Sequence, residues 1–235
     1  MPNLQELQSE NAKLKQQLKE QDDFIATAIH DLRNPLTLAL IANDLLRDKG
    51  LDTKTQELLQ DSLNRLNKLI ERNLAVPKLE RGQLKPDFKE LNLKTFLERF
   101  YNTQLPLLRK KKIKFRLDNP IPDTSIAADA SQLQQVFETL VSNAIRFTPK
   151  DGTGVINLKS EITNSHKIRI SVLDNGPGIP DDQKTKIFAK FVSQSKEQST
   201  GLGLYICRKI IKLHDGKIWC EDGAEGGALF VVEIN

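Results

Sequence analysis

Cysteine is scarce in this 235-residue chain, which contains two, Cys207 and Cys220. The two thiols lack the spacing of a metal-binding motif, and so sparse a pair argues against a framework of disulfide bonds. A secreted scaffold held together by disulfides is therefore excluded, and the reducing cytosol is the expected compartment.

Long hydrophobic runs are also missing. No apolar stretch of the sequence approaches the ~20 residues that a helix needs to cross a bilayer, and the N-terminus is too polar for a signal peptide. We therefore expect no membrane-spanning segment within this chain.

Charge of one sign is not strongly in excess, since the net charge is +4. The one dense basic run is Arg109-Lys110-Lys111-Lys112, and no aromatic residues interleave with it. The run favours a solvated loop or the start of a strand over a nucleic-acid surface, so no nucleic-acid partner is expected.

With 38% hydrophobic and 28% charged residues, the chain has the composition of a soluble globular protein, and its length allows two domains.

The N-terminal stretch repeats apolar or amide side chains at alternating spacings of three and four. This heptad seam consists of Leu4, Leu7, Asn11, Leu14, Leu18, Gln21 and Ile25. Asparagine at an a position, as at Asn11, lowers stability but favours a parallel, in-register dimer. Residues 1–23 are therefore predicted to form a two-stranded coiled coil; a single amphipathic surface helix is the alternative.

The next predicted helix carries a polar cluster, His30-Asp31-Leu32-Arg33-Asn34-Pro35-Leu36. A folded core gains little from such a cluster, whereas a site that takes up and releases a charged group requires one. A second apolar stripe at helical spacing follows, so residues 24–80 are predicted to form an antiparallel helical hairpin. Two hairpins should cover each other's apolar faces in a homodimeric four-helix bundle. Residues 81–89 are predicted to be a linker.

Residues 90–235 change to a mixed pattern that predicts an α+β domain. Helices are expected at Leu93–Leu108, after the capping residue Asp129, around Ile187, Phe188 and Phe191, and from Leu204 to Leu213. Strands are expected at Ile113–Leu117, Ser125–Ala128, Val155–Lys159, Ile168–Leu173, Lys217–Cys220 and Ala228–Ile234.

Three polar clusters interrupt this apolar pattern. Asn143 lies near the end of a helix, and its amide oxygen suits a Mg²⁺ ion already shared with phosphates. Asp174 ends a strand and precedes Gly176 and Gly178, so its carboxylate can accept from an exocyclic amine while the glycines permit close approach. Gly201-Leu202-Gly203 precedes a helix whose free N–H groups attract phosphate. Taken singly, each cluster also fits a helix cap or a turn.

The order of the clusters resembles the N, G1, F and G2 boxes of the ATP-binding domain shared by histidine kinases, Hsp90, gyrase B and MutL. The run from His30 to Leu36 resembles the phosphoacceptor box of sensor histidine kinases. A phosphate loop of the Gly-x-x-x-x-Gly-Lys-Ser/Thr type and a protein-kinase signature are absent. The resemblance implies a dimeric helical hairpin followed by an α+β sandwich ATPase domain, with Val192–Thr200 as a mobile lid over ATP.

The resemblance also implies roles for individual residues. His30 would accept the γ-phosphoryl group of Mg-ATP, and Asp31 would orient the His30 ring. Asn34 would position the water that dephosphorylates a response regulator. In the implied nucleotide site, Asn143 would bind Mg²⁺ and Asp174 would accept from the adenine amine, while Gly176 and Gly178 would lie beside the base. The phosphates would be surrounded by Gly201, Leu202, Gly203 and Leu204, with Arg146 and Lys190 as their charge partners. Thr139 stands where the family often has asparagine, which implies a weaker metal or water contact.

The predicted function is that of a homodimeric sensor histidine kinase core, which passes its phosphoryl group to the receiver domain of a response regulator. The chain is expected in the cytoplasm, either as a soluble kinase or as the cytoplasmic part of a membrane-bound sensor. Two other classes stay open. One is a dimeric ATPase or chaperone-like clamp, and the other is a signalling adaptor or pseudokinase that binds a partner without catalysis.

Overall fold

A computed structural model describes residues 9–11, 15, 32–33, 35–46, 55–57, 59–60, 62–64, 66, 70, 85–192, 201–224 and 226–234. The chain divides into two compact units. The first comprises Met1–Arg81 with Lys190–Leu202, and the second comprises Gly82–Ala189 with Gly203–Asn235.

In the first unit, all the described residues up to position 70 are helical. Within the helical segment 35–46, Ala39 and Ala42 are buried, whereas several large apolar side chains face solvent. The exposed ones are Leu36, Leu38, Leu40, Ile41 and Leu45. His30, Asp31 and Asn34, together with most of the predicted coiled-coil seam, lie outside the described residues.

The second unit is built on a five-stranded sheet with the strand order β2-β4-β5-β7-β6. Its strands are β2 (Lys114–Asp118), β4 (Val155–Ile162), β5 (Ile168–Asp174), β6 (Lys217–Asp222) and β7 (Ala228–Ile234). The pair β2–β4 is parallel and the other pairs are antiparallel. A separate antiparallel pair joins β1 (Lys89–Asn92) to β3 (Ser125–Ala128). The mixed sheet agrees with the predicted α+β class.

Helices cover one face of this sheet. They are α1 (Leu93–Lys110), α2 (Ala130–Phe147) and α4 (Gly203–Leu213), with a one-turn helix α3 (Asp181–Lys184) and a 3₁₀ turn (Lys186–Phe188) beside them. Alternate residues of the strands point inward, and Ile170 and Val172 are fully buried. The ring of Phe137 on α2 is also fully buried, with its centroid 6.2 Å from Phe96 and 6.0 Å from Phe100.

Most of the predicted elements of the second unit are confirmed. Asp129 caps α2 as expected, because its Oδ1 accepts hydrogen bonds from the Ser131 and Gln132 N–H groups. One expectation was wrong: the short helix near Ile187 stops at Phe188, and Phe191 lies beyond it with a positive φ of 63°. None of the helices that the structure describes is long and apolar enough to span a bilayer.

Phe137→Ala should lower the free energy of unfolding of the second unit by about 3–5 kcal/mol, because truncating a buried aromatic ring leaves a cavity. Urea titration followed by the fluorescence of Trp219, the single tryptophan, measures this. Leu107→Ala on the same layer of helices is the control, since Leu107 is 45% exposed and should change stability by no more than about 0.5 kcal/mol. Equal losses in both variants would contradict this packing.

Candidate functional site

The carboxylate of Asp174 lies on the inner face of the sheet at the end of β5. The alternation that buries Ile168, Ile170 and Val172 continues to Asp174, which is only 3% exposed. Its Oδ1 accepts hydrogen bonds from the N–H groups of Gly176 (2.9 Å) and Ala228 (3.3 Å). Burial raises the pKa of the Asp174 carboxyl, and these two hydrogen bonds oppose the rise. Its Oδ2 makes no hydrogen bond with any described residue, so one oxygen can still accept.

Glycines let three backbone segments converge on this carboxylate. A Cβ at Gly176 would lie 2.8 Å from the Phe147 carbonyl oxygen at the end of α2. Gly178 has a φ of +75°, and a Cβ there would lie 3.3 Å from the Gly227 carbonyl oxygen. Gly227 has a φ of +85°, and a Cβ there would overlap the Asp174 carbonyl. The missing side chains at Gly176 and Gly178 thus make room for protein backbone.

Asn175 fixes the loop after β5 to the start of β4. Its Oδ1 accepts from the Val155 N–H at 2.8 Å, and its Nδ2 donates to the Thr153 carbonyl at 3.0 Å. Sequence reasoning missed Asn175 and Gly227. An Asn-Gly dipeptide such as Asn175-Gly176 is typical of turns, but the sequence does not indicate which strand the Asn175 amide would reach.

Three polar side chains lie near the C-terminal end of α2, those of Asn143, Arg146 and Thr148. Asn143 is half-buried, and its amide makes no hydrogen bond with any described residue. The Thr148 hydroxyl is buried and likewise has no partner among the described residues. Arg146 lies 4.7 Å from the centroid of the Phe147 ring, and burial lowers its pKa.

Thr139 sits where α2 meets the first residue of α4. It is 5% exposed, and its hydroxyl donates to the Gln135 carbonyl at 2.8 Å within α2. Its methyl carbon would lie 3.0 Å from a Cβ at Gly203. The methyl group of Thr139 therefore faces the N-terminus of α4, while its hydroxyl proton is used inside the helix.

The predicted site residues fall into three groups. Asp174, Gly176 and Gly178 form one connected loop, while Asn143 and Gly203 lie on the contacting helices α2 and α4, with the half-buried Leu204 following Gly203. Lys190, Gly201 and Leu202 belong to the first unit. His30, Asp31 and Asn34 lie outside the described residues.

The described residues include no cluster of three or more His, Cys, Asp or Glu side chains that could bind a metal ion. The uncommitted amide oxygen of Asn143 fits a Mg²⁺ ion whose other ligands are phosphate oxygens and water.

Two family models match separate parts of the chain. Residues 128–235 match the "Histidine kinase-, DNA gyrase B-, and HSP90-like ATPase" family, and this range contains α2 and the Asp174 loop. Residues 20–82 match the "His Kinase A (phospho-acceptor) domain", and this range contains His30.

Curated proteins and solved structures include relatives that align with both of these ranges of the chain. The adaptive-response sensory kinase SasA of Synechococcus sp. (strain JA-3-3Ab) is 30% identical over 95% of this chain and 62% of its own length. The chain thus spans about three fifths of the length of these SasA relatives. Histidine kinase ThkA, in the solved structure of its complex with the response regulator protein TrrA, is 32% identical to this chain and matches it with a TM-score of 0.63. This match covers 96% of this chain and 65% of the ThkA chain.

The catalytic domain of ThkA alone is 39% identical to this chain. The match has a TM-score of 0.57 and covers 63% of this chain and 95% of that domain. Together with the two family models and the buried carboxylate between glycine-rich loops, this similarity assigns the chain to the histidine kinase family.

Proposed function

We propose that this chain is the core of a sensor histidine kinase, which phosphorylates His30 from ATP and transfers the phosphoryl group to an aspartate of a response regulator. One observation carries the proposal: a phosphoacceptor-domain match containing His30 and an ATPase-domain match containing the Asp174 loop occur in the same chain. The proposed domains are residues 1–23, 24–80, 81–89 and 90–235.

Adenine recognition is assigned to the Oδ2 atom of Asp174. Because Oδ1 is occupied by two N–H donors, Oδ2 is the atom available to accept the exocyclic amine of adenine. Asp174 is only 3% exposed, and a hydrogen bond to a buried charge is stronger than the same bond in water. The rigid loop held by Asn175 fixes the position of the acceptor before nucleotide arrives.

The phosphates are assigned to the N-terminus of α4. Gly203 opens this eleven-residue helix, whose first N–H groups and dipole favour negative charge. Gly201, Leu202 and Leu204 flank Gly203 and complete the proposed cradle, and Arg146 and Lys190 are the proposed charge partners. Asn143 would hold Mg²⁺, which when bound neutralises the charge that develops on the phosphates.

In the proposed reaction a ring nitrogen of His30 attacks the γ-phosphorus of ATP, a P–N bond forms, and the bond to the leaving ADP oxygen breaks. Asp31 accepts a hydrogen bond from the opposite ring N–H and so raises the nucleophilicity of the attacking nitrogen. The receiver aspartate of the regulator then takes the phosphoryl group. Asn34 is proposed to position the water that hydrolyses the phosphoryl group from the regulator.

Two partners are proposed. A response regulator is supported by the relative ThkA, whose complex with TrrA is a kinase bound to such a protein. A second copy of the chain is supported by the solvent-facing leucines and isoleucine of segment 35–46, because exposed apolar stripes of this kind mark association surfaces. A cytoplasmic location is proposed with them.

The histidine assignment predicts that incubation with γ-labelled Mg-ATP gives acid-labile, base-stable label on the wild-type chain. His30→Ala should incorporate no label yet bind ATP with unchanged affinity, because only the acceptor has been removed. His166→Ala, which alters an exposed histidine in the second unit, is the matched control and should label normally. Label that persists in His30→Ala would overturn the assignment, and ATP turnover without any labelled protein would favour an ATPase clamp.

Asp174→Asn should lower the affinity for ATP at least tenfold without destabilising the fold. The asparagine carbonyl would retain the two bonds from Gly176 and Ala228, which turns the NH₂ group, a donor, toward the adenine amine. Because burial raises the pKa of Asp174, the ionised form opposes folding at neutral pH, so a neutral amide should leave the melting temperature unchanged or higher. Calorimetric titration and thermal melts measure both, and unchanged ATP affinity would contradict the assignment.

Ile41→Lys should convert the proposed dimer to a monomer, because a charge would be placed in the apolar stripe formed with Leu38 and Leu45. Light scattering during size-exclusion chromatography measures the mass. Asn43→Lys, at an exposed position half a turn away, is the control and should stay dimeric. Identical masses for both variants would remove segment 35–46 from the dimer interface.

A further inference from the structure

His214 directly follows α4, is 9% exposed, and has both of its ring nitrogens engaged. Nε2 lies 3.1 Å from the Asp129 backbone nitrogen, and Nδ1 lies 2.9 Å from the Ile210 carbonyl oxygen. An amide N–H can only donate and a carbonyl can only accept. The two contacts therefore place the ring proton on Nδ1 and leave the lone pair of Nε2 to accept from Asp129.

Asp129 connects this histidine to the segment 85–88, through which the chain enters the second unit. Its Oδ1 caps α2, and its Oδ2 accepts from the Asp87 N–H at 3.0 Å. The next side chain, Phe88, stands edge-on against the His214 ring, with centroids 5.0 Å apart and an interplanar angle of 84°. Phe88 is nevertheless 47% exposed, so its ring is only partly covered by the second unit.

The helices α2 and α4 are thus joined at two distant places along α2. At one, the His214 ring at the C-terminus of α4 accepts from Asp129 at the N-cap of α2. At the other, Gly203 at the N-terminus of α4 meets Thr139, one turn before Asn143. The second contact adjoins the proposed phosphate and Mg²⁺ ligands. The first adjoins the docked segment 85–88.

We propose that His214 is a positioning residue that couples docking of Asp87 and Phe88 to nucleotide binding at the opposite end of the α2–α4 pair. This inference rests on the proposed ATP site. A pair of rigid helices fixed at one end has fewer arrangements at the other, so docking of segment 85–88 and binding of nucleotide favour each other. Linkage makes the effect reciprocal, and couplings between sites typically change affinity about 5–150-fold.

Two substitutions separate the two hydrogen bonds of the ring. In His214→Gln the side-chain oxygen reaches the position of Nε2 and keeps an acceptor for the Asp129 N–H. In His214→Asn the shorter amide reaches only the position of Nδ1, so it keeps the donor to Ile210 and loses that acceptor. Phe88→Ala provides a third variant, which removes the ring contact at a half-exposed position and leaves the histidine intact.

The measurement is amide hydrogen exchange at Asp87, with and without saturating Mg-ADP, together with the Kd of Mg-ADP for each variant. In the wild-type chain and in His214→Gln, Mg-ADP should slow exchange at Asp87 about fivefold or more. In His214→Asn and Phe88→Ala this effect should disappear and the Kd should rise about fivefold. A merely structural histidine would instead lower the melting temperature in both His214 variants and leave exchange at Asp87 insensitive to Mg-ADP.

The outcomes distinguish this inference from the proposed function beneath it. Mg-ADP binding without any change at Asp87 in the wild-type chain would overturn the coupling alone. Failure of the wild-type chain to bind Mg-ADP would overturn the ATP site and the coupling together. If His214→Asn does not fold, Phe88→Ala decides the matter, and an unchanged Kd in that variant would overturn the coupling.

Discussion

The Asp174 carboxylate is buried at the end of β5 and holds two chain segments through the same oxygen, Oδ1. The loop after β5 and the first residue of β7 both donate to it, and the neighbouring backbone must come close enough for them to do so. Glycine at positions 176 and 227 follows from this approach, since a Cβ at either would meet backbone. The arrangement leaves Oδ2 without a hydrogen bond from any described residue, on a side chain that is only 3% exposed.

Different elements of the second unit have different tasks in this account. In the proposed ATP site, the end of β5 would supply the acceptor for the base, and burial strengthens its hydrogen bonds while raising the pKa of the carboxyl. In the same proposal, α2 would supply Asn143 for the phosphates, and α4 would supply its N-terminus at Gly203. Because these two helices also meet at Asp129 and His214, the proposed phosphate end of the site is connected to the segment by which the chain enters the second unit.

Hydrophobic periodicity predicted the strands and helices of the second unit well, because β5 and α2 each bury one regular face. It also placed Asp174 at a strand end, which is what made the acid conspicuous. Contacts that depend on strand register were not predictable. Gly227 meets Asp174 only because β5 pairs with β7 from Leu173 and Leu229 onward. The partners of Asn175, the contact between Thr139 and Gly203, and the hydrogen bond between Asp129 and His214 likewise depend on tertiary structure, which no local pattern in the sequence specifies. The assignments of His30, Asp31 and Asn34 stay predictions from the sequence motif.

The most direct test of the Asp174 assignment is the relative affinity of the unmodified chain for nucleotides that lack the purine 6-amine proposed to lie opposite Oδ2. Purine riboside triphosphate lacks the 6-amine of ATP, and GTP carries a carbonyl there. Since a hydrogen bond to a charged group contributes about 1.5–3 kcal/mol, both should bind at least tenfold more weakly than ATP in a calorimetric titration. Equal affinities for all three nucleotides would mean that Asp174 does not read the base, and the account of the site would be wrong.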